Sequence, residues 1–184
     1  MNVYDFDGTI YNGDCSIGFI LFLTRKYPKL LKYYPRIFMD LFKYLFNHDY
    51  ILIFKSSFFK MICNVDLEKE VSCFWDKNIY KIKKWYLKQK RSNDLIISAS
   101  PDFLVSEACR RLNVKCLSSI VDIKTGEYKV NFHDVEKVIQ FRKKYPNEKI
   151  LKFYSDSKND VYLARLARKS YFVFKNKISE WKNL

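Results

Sequence analysis

The chain has 184 residues, of which 48% are hydrophobic and 29% charged, with only four glycines and four prolines. This composition excludes collagen-like and low-complexity proteins, and it predicts one globular domain with room for a sizeable insertion. The formal net charge of +14 indicates an anionic partner, which is nucleic acid, an anionic membrane surface or a phosphorylated substrate.

The basic residues are spread along the whole chain. Residues 14–90 contain 15 Lys and Arg against 7 Asp and Glu, and the remainder contains 19 against 13. No compact basic block or nucleic-acid-binding motif stands out, so we expect no nucleic-acid partner. A compositional bias toward Lys, Ile, Tyr, Phe and Asn accounts for the charge equally well, which leaves its functional meaning open.

The cysteine and apolar patterns indicate the compartment. The five cysteines form no C-x-x-C pair and only two histidines are present, so a zinc site is not expected. The chain opens directly on a predicted strand without a secretory signal. The longest apolar run, residues 17–23, is far shorter than the roughly 20 residues that cross a bilayer. We therefore expect a cytoplasmic protein.

The predicted elements begin with a short strand over residues 2–4, followed by nearly continuous helix from about residue 14 to 91. Apolar pairs recur there every four residues, which is helical spacing: Ile37-Phe38, Leu41-Phe42 and Leu45-Phe46. Breaks between helices are predicted at four places: Tyr27-Pro28, Tyr34-Pro35, Asn47 to Asp49 and Asn64 to Asp66. The last helix is predicted over residues 77–90, with four residues on its buried face: Ile79, Ile82, Trp85 and Tyr86.

Beyond residue 92 short apolar strands alternate with helices, which indicates a mostly parallel sheet. The strand over 94–98 leads into a helix start, with Ser100 as N-cap and Pro101 in the first helical position. The later predicted elements are, in order, a hairpin with arms over 120–123 and 127–132, a helix over 134–144, a strand over 149–154, a helix from about Asn159 and a strand over 171–174.

The predicted fold is therefore α/β: a Rossmann-like open parallel sheet with an all-helical cap inserted after the first strand. We assign residues 1–13 and 92–184 to the core and residues 14–91 to the cap.

The run Asp5-Phe6-Asp7-Gly8-Thr9 carries the strongest chemical signal. Asp5 and Asp7 are two residues apart, so at the end of the first strand they share one face. The carboxyl end of such a strand is where open α/β sheets bind their ligands. Two carboxylates there can supply a nucleophile and an acid/base group, or they can hold a hard cation. A capped turn after an edge strand is the alternative for this run alone.

Three other positions are predicted to meet the first motif at the same sheet edge. The second strand ends at Ser98, a later strand leads to Asp156 and Asp160, and Lys137 lies near the start of the intervening helix. Each has a structural alternative when taken singly: Ser98 as a strand-end cap, Lys137 as a solvated helix residue, and Asp160 as an acid favoured by the helix dipole.

In these four motifs the chain resembles the haloacid dehalogenase superfamily of phosphatases, specifically its phosphoserine phosphatase-like members with a helical cap (subfamily IB). The motifs occur in the order of that family, at Asp5 to Thr9, Ser98, Lys137, and Asp156 with Asp160. The stretch before Lys137 is similar to that in relatives of phosphoserine phosphatase. Two departures are visible, because Asp134 and Ser155 stand where such sequences usually have Gly.

The resemblance implies roles for these residues. Asp5 would be the nucleophile that becomes an aspartyl-phosphate, and Asp7 the general acid and base. Mg²⁺ would be held by Asp5, Asp156 and the backbone carbonyl of Asp7, with Asp160 supporting the ion or binding it through water. The candidate phosphate-binding residues are Thr9, Ser98 and Lys137.

The cap position leaves two substrate classes open. One is a small soluble phosphomonoester, and Asp14 stands where phosphoserine phosphatase-like members carry an acid that contacts substrate, although it would also N-cap the first cap helix. The other is a lipid-borne phosphate, because the aromatic and Lys-rich cap resembles the phosphatidylglycerophosphatase branch and would suit an anionic membrane at its cytoplasmic face. A phosphotransferase and a non-catalytic basic scaffold are further alternatives.

Overall fold

A computed structural model describes residues 1–63 and 65–182. Its centre is a seven-stranded sheet in the order β4-β3-β2-β1-β5-β6-β7. The strands are β1 (Asn2–Tyr4), β2 (Leu95–Pro101), β3 (Lys115–Val121), β4 (Tyr128–Val130), β5 (Ile150–Ser155), β6 (Ala167–Phe174) and β7 (Lys177–Glu180).

The five inner strands are parallel, and only the edge strands β4 and β7 are antiparallel to their neighbours. This arrangement confirms the predicted α/β class with a mostly parallel sheet. Strand β7 was not predicted. All four of its residues are exposed, so it lacks the apolar alternation by which a half-buried strand is recognised.

Eight helices surround the sheet within the described residues, five of them between β1 and β2. The helices are α1 (Cys15–Lys26), α2 (Tyr34–Phe46), α3 (Ile51–Lys60), α4 (Leu67–Asn78), α5 (Lys84–Gln89), α6 (Asp102–Leu112), α7 (Val135–Lys144) and α8 (Val161–Ala164). Short 3₁₀ turns lead into α2 (Pro28–Tyr33), α3 (His48–Tyr50) and α8 (Lys158–Asp160). The predicted break at Asn64 lies outside the described residues.

The prediction of one continuous helix over 77–90 is wrong. A 3₁₀ turn, Ile79–Lys81, separates α4 from α5, and Ile82 is extended. The backbone here also bonds to the chain after the first motif: Asn12 N donates to Lys81 O (3.0 Å), and Lys83 N donates to Ile10 O (2.7 Å). Tertiary hydrogen bonds therefore replace helical ones at the point where the cap returns to the core.

The predicted start of the helix after β2 is also wrong. Strand β2 continues through Ser100 to Pro101, and α6 begins at Asp102. The hydroxyl of Ser100 caps no helix, because it donates to the carboxylate of Asp7 at 2.6 Å.

The two faces of the sheet bury separate apolar clusters, since successive strand residues point to opposite faces. Tyr4 packs in the cluster that includes cap residues such as Phe19, Phe74 and Trp75, whereas Val3 packs on the far side with Phe141. The indole N–H of Trp75 also donates to Leu104 O of α6 at 2.8 Å. Helices α1 and α4 thus share one hydrophobic core with the sheet and hold the cap over its carboxyl edge.

Candidate active site

The sheet order brings the first, second and fourth motifs together, because β1 lies between β2 and β5. Asp5 continues the pairing of β1 with β5, donating its N–H to Tyr154 O at 2.9 Å. Its buried carboxylate accepts from Lys137 Nζ at 2.8 Å and lies 3.0 Å from Thr9 Oγ1. The pKa of Asp5 is raised to about 7. Burial is the main cause; the ammonium of Lys137 lowers this pKa, and the nearby Asp160 and Asp156 raise it.

Lys137 connects two carboxylates at this edge. It is 3% exposed, and its ammonium lies 2.8 Å from Asp5 and 2.8 Å from Asp160. Burial alone would lower the pKa of Lys137, but the two carboxylates more than offset that effect and raise it. Asp160 also accepts a 2.6 Å hydrogen bond from Ser155 Oγ. The amine therefore stays charged and fixed between two acids.

Asp7 has a different set of partners from Asp5. One oxygen accepts from Cys15 N at 2.6 Å, and the other accepts from Ser100 Oγ at 2.6 Å. The pKa of Asp7 is raised to about 6. Burial is the main cause and Asp14 adds to it, whereas the hydrogen bonds from Ser100 and Cys15 lower this pKa. The sequence analysis missed Ser100, because the order Ser-Pro-Asp also predicts a helix cap.

Thr9 joins the first motif to the fourth. Its hydroxyl oxygen lies 3.0 Å from Asp5 Oδ2 and 2.9 Å from Asp156 Oδ1, and it accepts from Asp156 N at 2.9 Å. Gly8 makes this approach possible in two ways. Its φ is +70°, a conformation that favours glycine, and a Cβ there would clash with the Asp156 carboxylate.

The remaining predicted residues lie around the same edge. Ser98 is 1% exposed, and its hydroxyl accepts from Ser100 N at 3.0 Å. Asp14 is exposed and N-caps α1, accepting from Ile17 N at 2.9 Å. Both residues line the cavity at the site. Asp14 therefore caps α1, which is one of the two roles that the sequence allowed, and it also lines the cavity.

The acidic residues fit a magnesium site with one or two carboxylate ligands better than a site in which carboxylates supply every ligand. Among residues 1–63 and 65–182, no group of three or more His, Cys, Asp or Glu side chains is arranged to hold a metal. The carboxylates of Asp7 and Asp160 accept from other donors. One oxygen of Asp5 accepts from Lys137, and its other oxygen meets an oxygen of Asp156 at Thr9. Mg²⁺ commonly binds through one or two carboxylates and keeps several waters. Lys137 contacts Asp5 and Asp160, and Asp156 lies near Asp5 as a third acid, so the carboxylates outnumber the ammonium and leave negative charge for such an ion to neutralise.

A cavity of about 280 Å³ lies between the motifs and the cap. Most of its lining is apolar, and the cap contributes the following residues: Ile17, Ile20, Ile51, Phe54, Phe58 and Phe59. Lys55 of α3 is the cationic side chain among the lining residues. Its ammonium donates to Asn131 Oδ1 at 3.0 Å and lies 5.6 Å from the ring centre of Tyr128. Burial lowers the pKa of Lys55.

Two lysines at the site were missed by the sequence analysis, Lys55 and Lys83. Lys83 is 7% exposed and donates to the backbone carbonyls of Gly8 and Lys175, the latter at 2.6 Å. Burial lowers the pKa of Lys83. No sequence signal distinguishes these two residues from the other 13 Lys and Arg of residues 14–90.

The two departures from the family pattern have structural explanations. Asp134 has a φ of +50°, where a non-glycine residue is costly. This backbone conformation explains why glycine is usual at this position. Its carboxylate lies 2.8 Å from His133 Nδ1. Ser155 adopts an extended strand conformation, and its hydroxyl bonds to Asp160. Ser155 thus adds a contact to the site that glycine would lack.

The family of the chain follows from comparison with known proteins. Residues 3–165 match the model of the haloacid dehalogenase-like hydrolase family, and the chain belongs to that family. The resemblance seen in the four motifs is thereby confirmed at the level of the family. A search of curated proteins finds no significant match.

Solved structures with the same fold include three of note. A Bordetella pertussis Tohama I protein of unknown function has a TM-score of 0.76 at 16% identity, covering 92% of this chain and 87% of its own. A phosphoserine phosphohydrolase-like protein from Francisella tularensis has a TM-score of 0.54 at 19% identity, covering 92% and 86%. A phosphoserine phosphatase in the form of a phospho-aspartyl intermediate analogue has a TM-score of 0.50 at 17% identity, covering 91% and 83%.

Proposed function

We propose that this hydrolase is a Mg²⁺-dependent phosphatase that cleaves a phosphomonoester through an aspartyl-phosphate on Asp5. The observation that carries the proposal is the contrast between two carboxylates only two residues apart. Asp5 contacts the ammonium of Lys137, whereas the donors to Asp7 within the described residues are the neutral groups of Cys15 and Ser100. Different surroundings suit two carboxylates for different roles, one as nucleophile and one as proton carrier.

The proposed reaction has two steps. Asp5 attacks phosphorus in line, the bond from phosphorus to the ester oxygen breaks, and the leaving alkoxide takes a proton from Asp7. A water then attacks the aspartyl-phosphate and gives a proton to Asp7, which releases inorganic phosphate and regenerates Asp5. The pKa of Asp7 is raised to about 6, chiefly by burial, which makes the protonated form accessible near neutral pH. The pKa of Asp5 is also raised, to about 7, so the ionised nucleophile would depend on the positive charge of Lys137 and of the proposed Mg²⁺.

The remaining residues would bind the phosphoryl group and neutralise its charge. Ser98 and Lys137 would donate to the phosphoryl oxygens, with Thr9 beside them. Mg²⁺, held by Asp5, Asp156 and the backbone carbonyl of Asp7 and supported by Asp160, would supply further positive charge as the bonds to phosphorus change.

The apolar cavity favours a lipid-borne phosphomonoester such as phosphatidylglycerophosphate. The cap presents six apolar side chains to the site, and these would contact the nonpolar part of a substrate more favourably than they would contact water. A protein with this substrate would work at the inner face of the cell membrane. Within the described residues, no helix is both long and apolar enough to cross a bilayer.

A small soluble phosphomonoester is the second candidate, favoured by two opposite charges in the same cavity. Lys55 and Asp14 both line it, and together they would match the carboxylate and amine of a phosphoserine-like substrate. A sugar phosphate belongs to the same class. A phosphotransferase would use the same Asp5 chemistry with an alcohol in place of water, and a non-catalytic scaffold would need neither Asp5 nor Asp7.

The test is phosphate release, with and without Mg²⁺, by the wild type and by Asp5→Asn. The panel compares phosphoserine and sugar phosphates with phosphatidylglycerophosphate in mixed micelles, and added glycerol tests for phosphotransfer. We expect Mg²⁺-dependent release that Asp5→Asn lowers by about 10³-fold or more, because the nucleophile is lost. Borohydride reduction of the quenched wild type should convert phosphorylated Asp5 into homoserine, which peptide mass spectrometry locates.

Asp49→Asn is the matched control, because Asp49 is exposed in a 3₁₀ turn of the cap and is not among the residues that line the cavity. Its activity should equal that of the wild type. Equal turnover by wild type and Asp5→Asn on every substrate would refute the proposal. Turnover of soluble substrates alone would retain the mechanism and reject the lipid substrate.

A further inference from the structure

Helix α2 of the cap presents a row of large apolar side chains to solvent. Five of them, which we call the α2 apolar stripe, are each more than 60% exposed: Phe38 (64%), Met39 (61%), Phe42 (62%), Leu45 (64%) and Phe46 (78%). Their spacing of three, four and seven residues places them on one side of the helix. Contiguous exposed apolar surface of this kind marks an interaction site.

The opposite side of α2 is already occupied within the cap. Ile37 and Asp40 are buried there, and the ring of Tyr44 stacks on that of Phe54 in α3 at 5.9 Å. The stripe is therefore a second apolar face, additional to the one that the fold buries. Folding of the described chain covers the first face and leaves the second exposed to solvent.

The charge beside the stripe identifies the chemistry of that partner. Arg36 and Lys43 are exposed on α2. Helical spacing places both of them beside the stripe, between the stripe and the buried side of the helix. Lys29 and Lys32 are exposed in the preceding 3₁₀ turn. Between residues 28 and 50 the acids are Asp40, which is buried and lies 3.7 Å from Lys43, and Asp49, which is exposed in the 3₁₀ turn after α2, so the exposed lysines and arginine outnumber the exposed acid. The surface around the stripe is thus apolar and positively charged.

We propose that the α2 apolar stripe and its basic edge dock the cap onto an anionic phospholipid surface. Apolar side chains that enter the acyl boundary and basic ones that contact anionic headgroups are what an interfacial helix requires. A second copy of this chain fits less well, because each copy would bring the same basic residues to the shared surface.

The docking surface lies next to the cavity of the site. Helix α3 packs along α2, and two of its residues, Leu52 and Ile53, are exposed (41% and 51%). Two others, Phe54 and Lys55, line the cavity. A docked cap would therefore hold the cavity close to the lipid. This consequence for the substrate rests on the proposed function, whereas docking itself rests only on the surface of the cap.

Sedimentation with lipid vesicles tests the proposal. The full chain is mixed with vesicles of phosphatidylcholine alone, or of phosphatidylcholine with phosphatidylglycerol, at low and high salt. We expect binding to the anionic vesicles that weakens with salt. The double variant Phe42→Ser/Phe46→Ser should lose at least about tenfold in vesicle affinity, because two large apolar side chains no longer enter the membrane. Phe174→Ser is the matched control, since Phe174 is 64% exposed in β6, outside the α2 apolar stripe, and its binding should equal that of the wild type.

Three results would overturn docking: no binding to anionic vesicles, equal binding to both vesicle types, or equal loss in the Phe174→Ser control. Self-association that the double variant abolishes, without vesicle binding, would assign the stripe to a second copy instead. Turnover of a water-soluble phosphomonoester, measured in the same samples, separates the two proposals. If docking fails and the proposed function holds, turnover persists; if the proposed function fails and docking holds, vesicles bind without turnover.

Discussion

The catalytic edge of the sheet and the outer face of α2 depart from the usual distribution of residues in opposite directions. At the catalytic edge, charged side chains are buried: Asp5, Lys137 and Asp160 are 7%, 3% and 3% exposed. On α2, large apolar side chains are exposed. Burying a charge and exposing an apolar patch both cost free energy. If both proposals hold, the difference teaches that each region keeps its unfavourable residues for a contact outside the chain, polar in one case and apolar in the other.

The two regions should also differ in how they respond to mutation. The buried charges form one connected network, in which each member leaves others unpaired when it is removed. The α2 apolar stripe has solvent on its outer side, so its side chains contribute little to folding. Substitutions at the catalytic edge should therefore affect stability and activity together, whereas those in the α2 apolar stripe should change neither stability nor the turnover of a soluble substrate.

The largest effect is expected from Lys137→Met. This change leaves Asp5 and Asp160 buried without their cation, which should lower the free energy of unfolding by about 3–5 kcal/mol at neutral pH and abolish phosphate release. Because burial raises the pKa of Asp5 to about 7, protonation should relieve part of this loss at acidic pH. Urea denaturation at pH 5 and pH 8 measures both effects.

Lys143→Met serves as the control for that variant, because Lys143 is exposed in the last turn of the same helix. Its free energy of unfolding should stay within about 0.5 kcal/mol of the wild type. A Lys137→Met variant as stable as Lys143→Met would show that the buried network contributes nothing to folding.

Gly8→Ala should have the next largest effect. The new Cβ would clash with Asp156, and the φ of +70° strains any L side chain. We expect a loss of about 1–3 kcal/mol in stability and strongly reduced activity, because Asp156 must move. Thermal unfolding and phosphate release measure the two.

Gly18→Ala is its counterpart in α1. A Cβ there would make ordinary contact with Phe74 at 3.5 Å, so stability should stay equal or rise by up to about 1 kcal/mol, since alanine favours helix. Equal effects at Gly8 and Gly18 would remove the steric argument for the first-motif loop.

Ser100→Ala should shift a pH profile with only a modest loss of activity. The hydrogen bond from Ser100 lowers the pKa of Asp7, so its removal should raise that pKa further above its usual range. If Asp7 must be protonated to release the alcohol, the basic limb of the kcat profile will move to higher pH, by about half a unit to one unit for a bond of about 1 kcal/mol. An unmoved limb would mean that Asp7 is not the proton donor.

The smallest effect is expected from Phe42→Ser/Phe46→Ser. Both side chains are more than 60% exposed, so the melting temperature and the turnover of a soluble substrate should stay close to those of the wild type. A loss above about 1 kcal/mol would show that the stripe is part of the cap core. In that case the contrast with the catalytic edge would disappear.

The sequence predicted those parts of the molecule that depend on local pattern. Strands β1 and β5 followed from apolar runs and the polar residues after them, and the motif order indicated the family, whereas β2 continues to Pro101 beyond its predicted end at Ser98. It did not predict the break after Asn78, because that stretch has helical spacing and is interrupted by hydrogen bonds to residues 10 and 12. Nor did it predict that the hydroxyl of Ser100 would donate to Asp7 instead of capping α6.

What the amino-acid sequence determined by itself was the class of fold, the family and the residue types of the four motifs, because periodicity and short motifs are local properties of the chain. The tertiary structure decided which carboxylate meets Lys137 and which meets Ser100. It also decided that Lys55 and Lys83 face the site, and that α2 buries one apolar face and exposes another. These outcomes depend on contacts between residues far apart in the chain. The position of a lysine or a phenylalanine in the sequence does not show which residues it will contact in the fold.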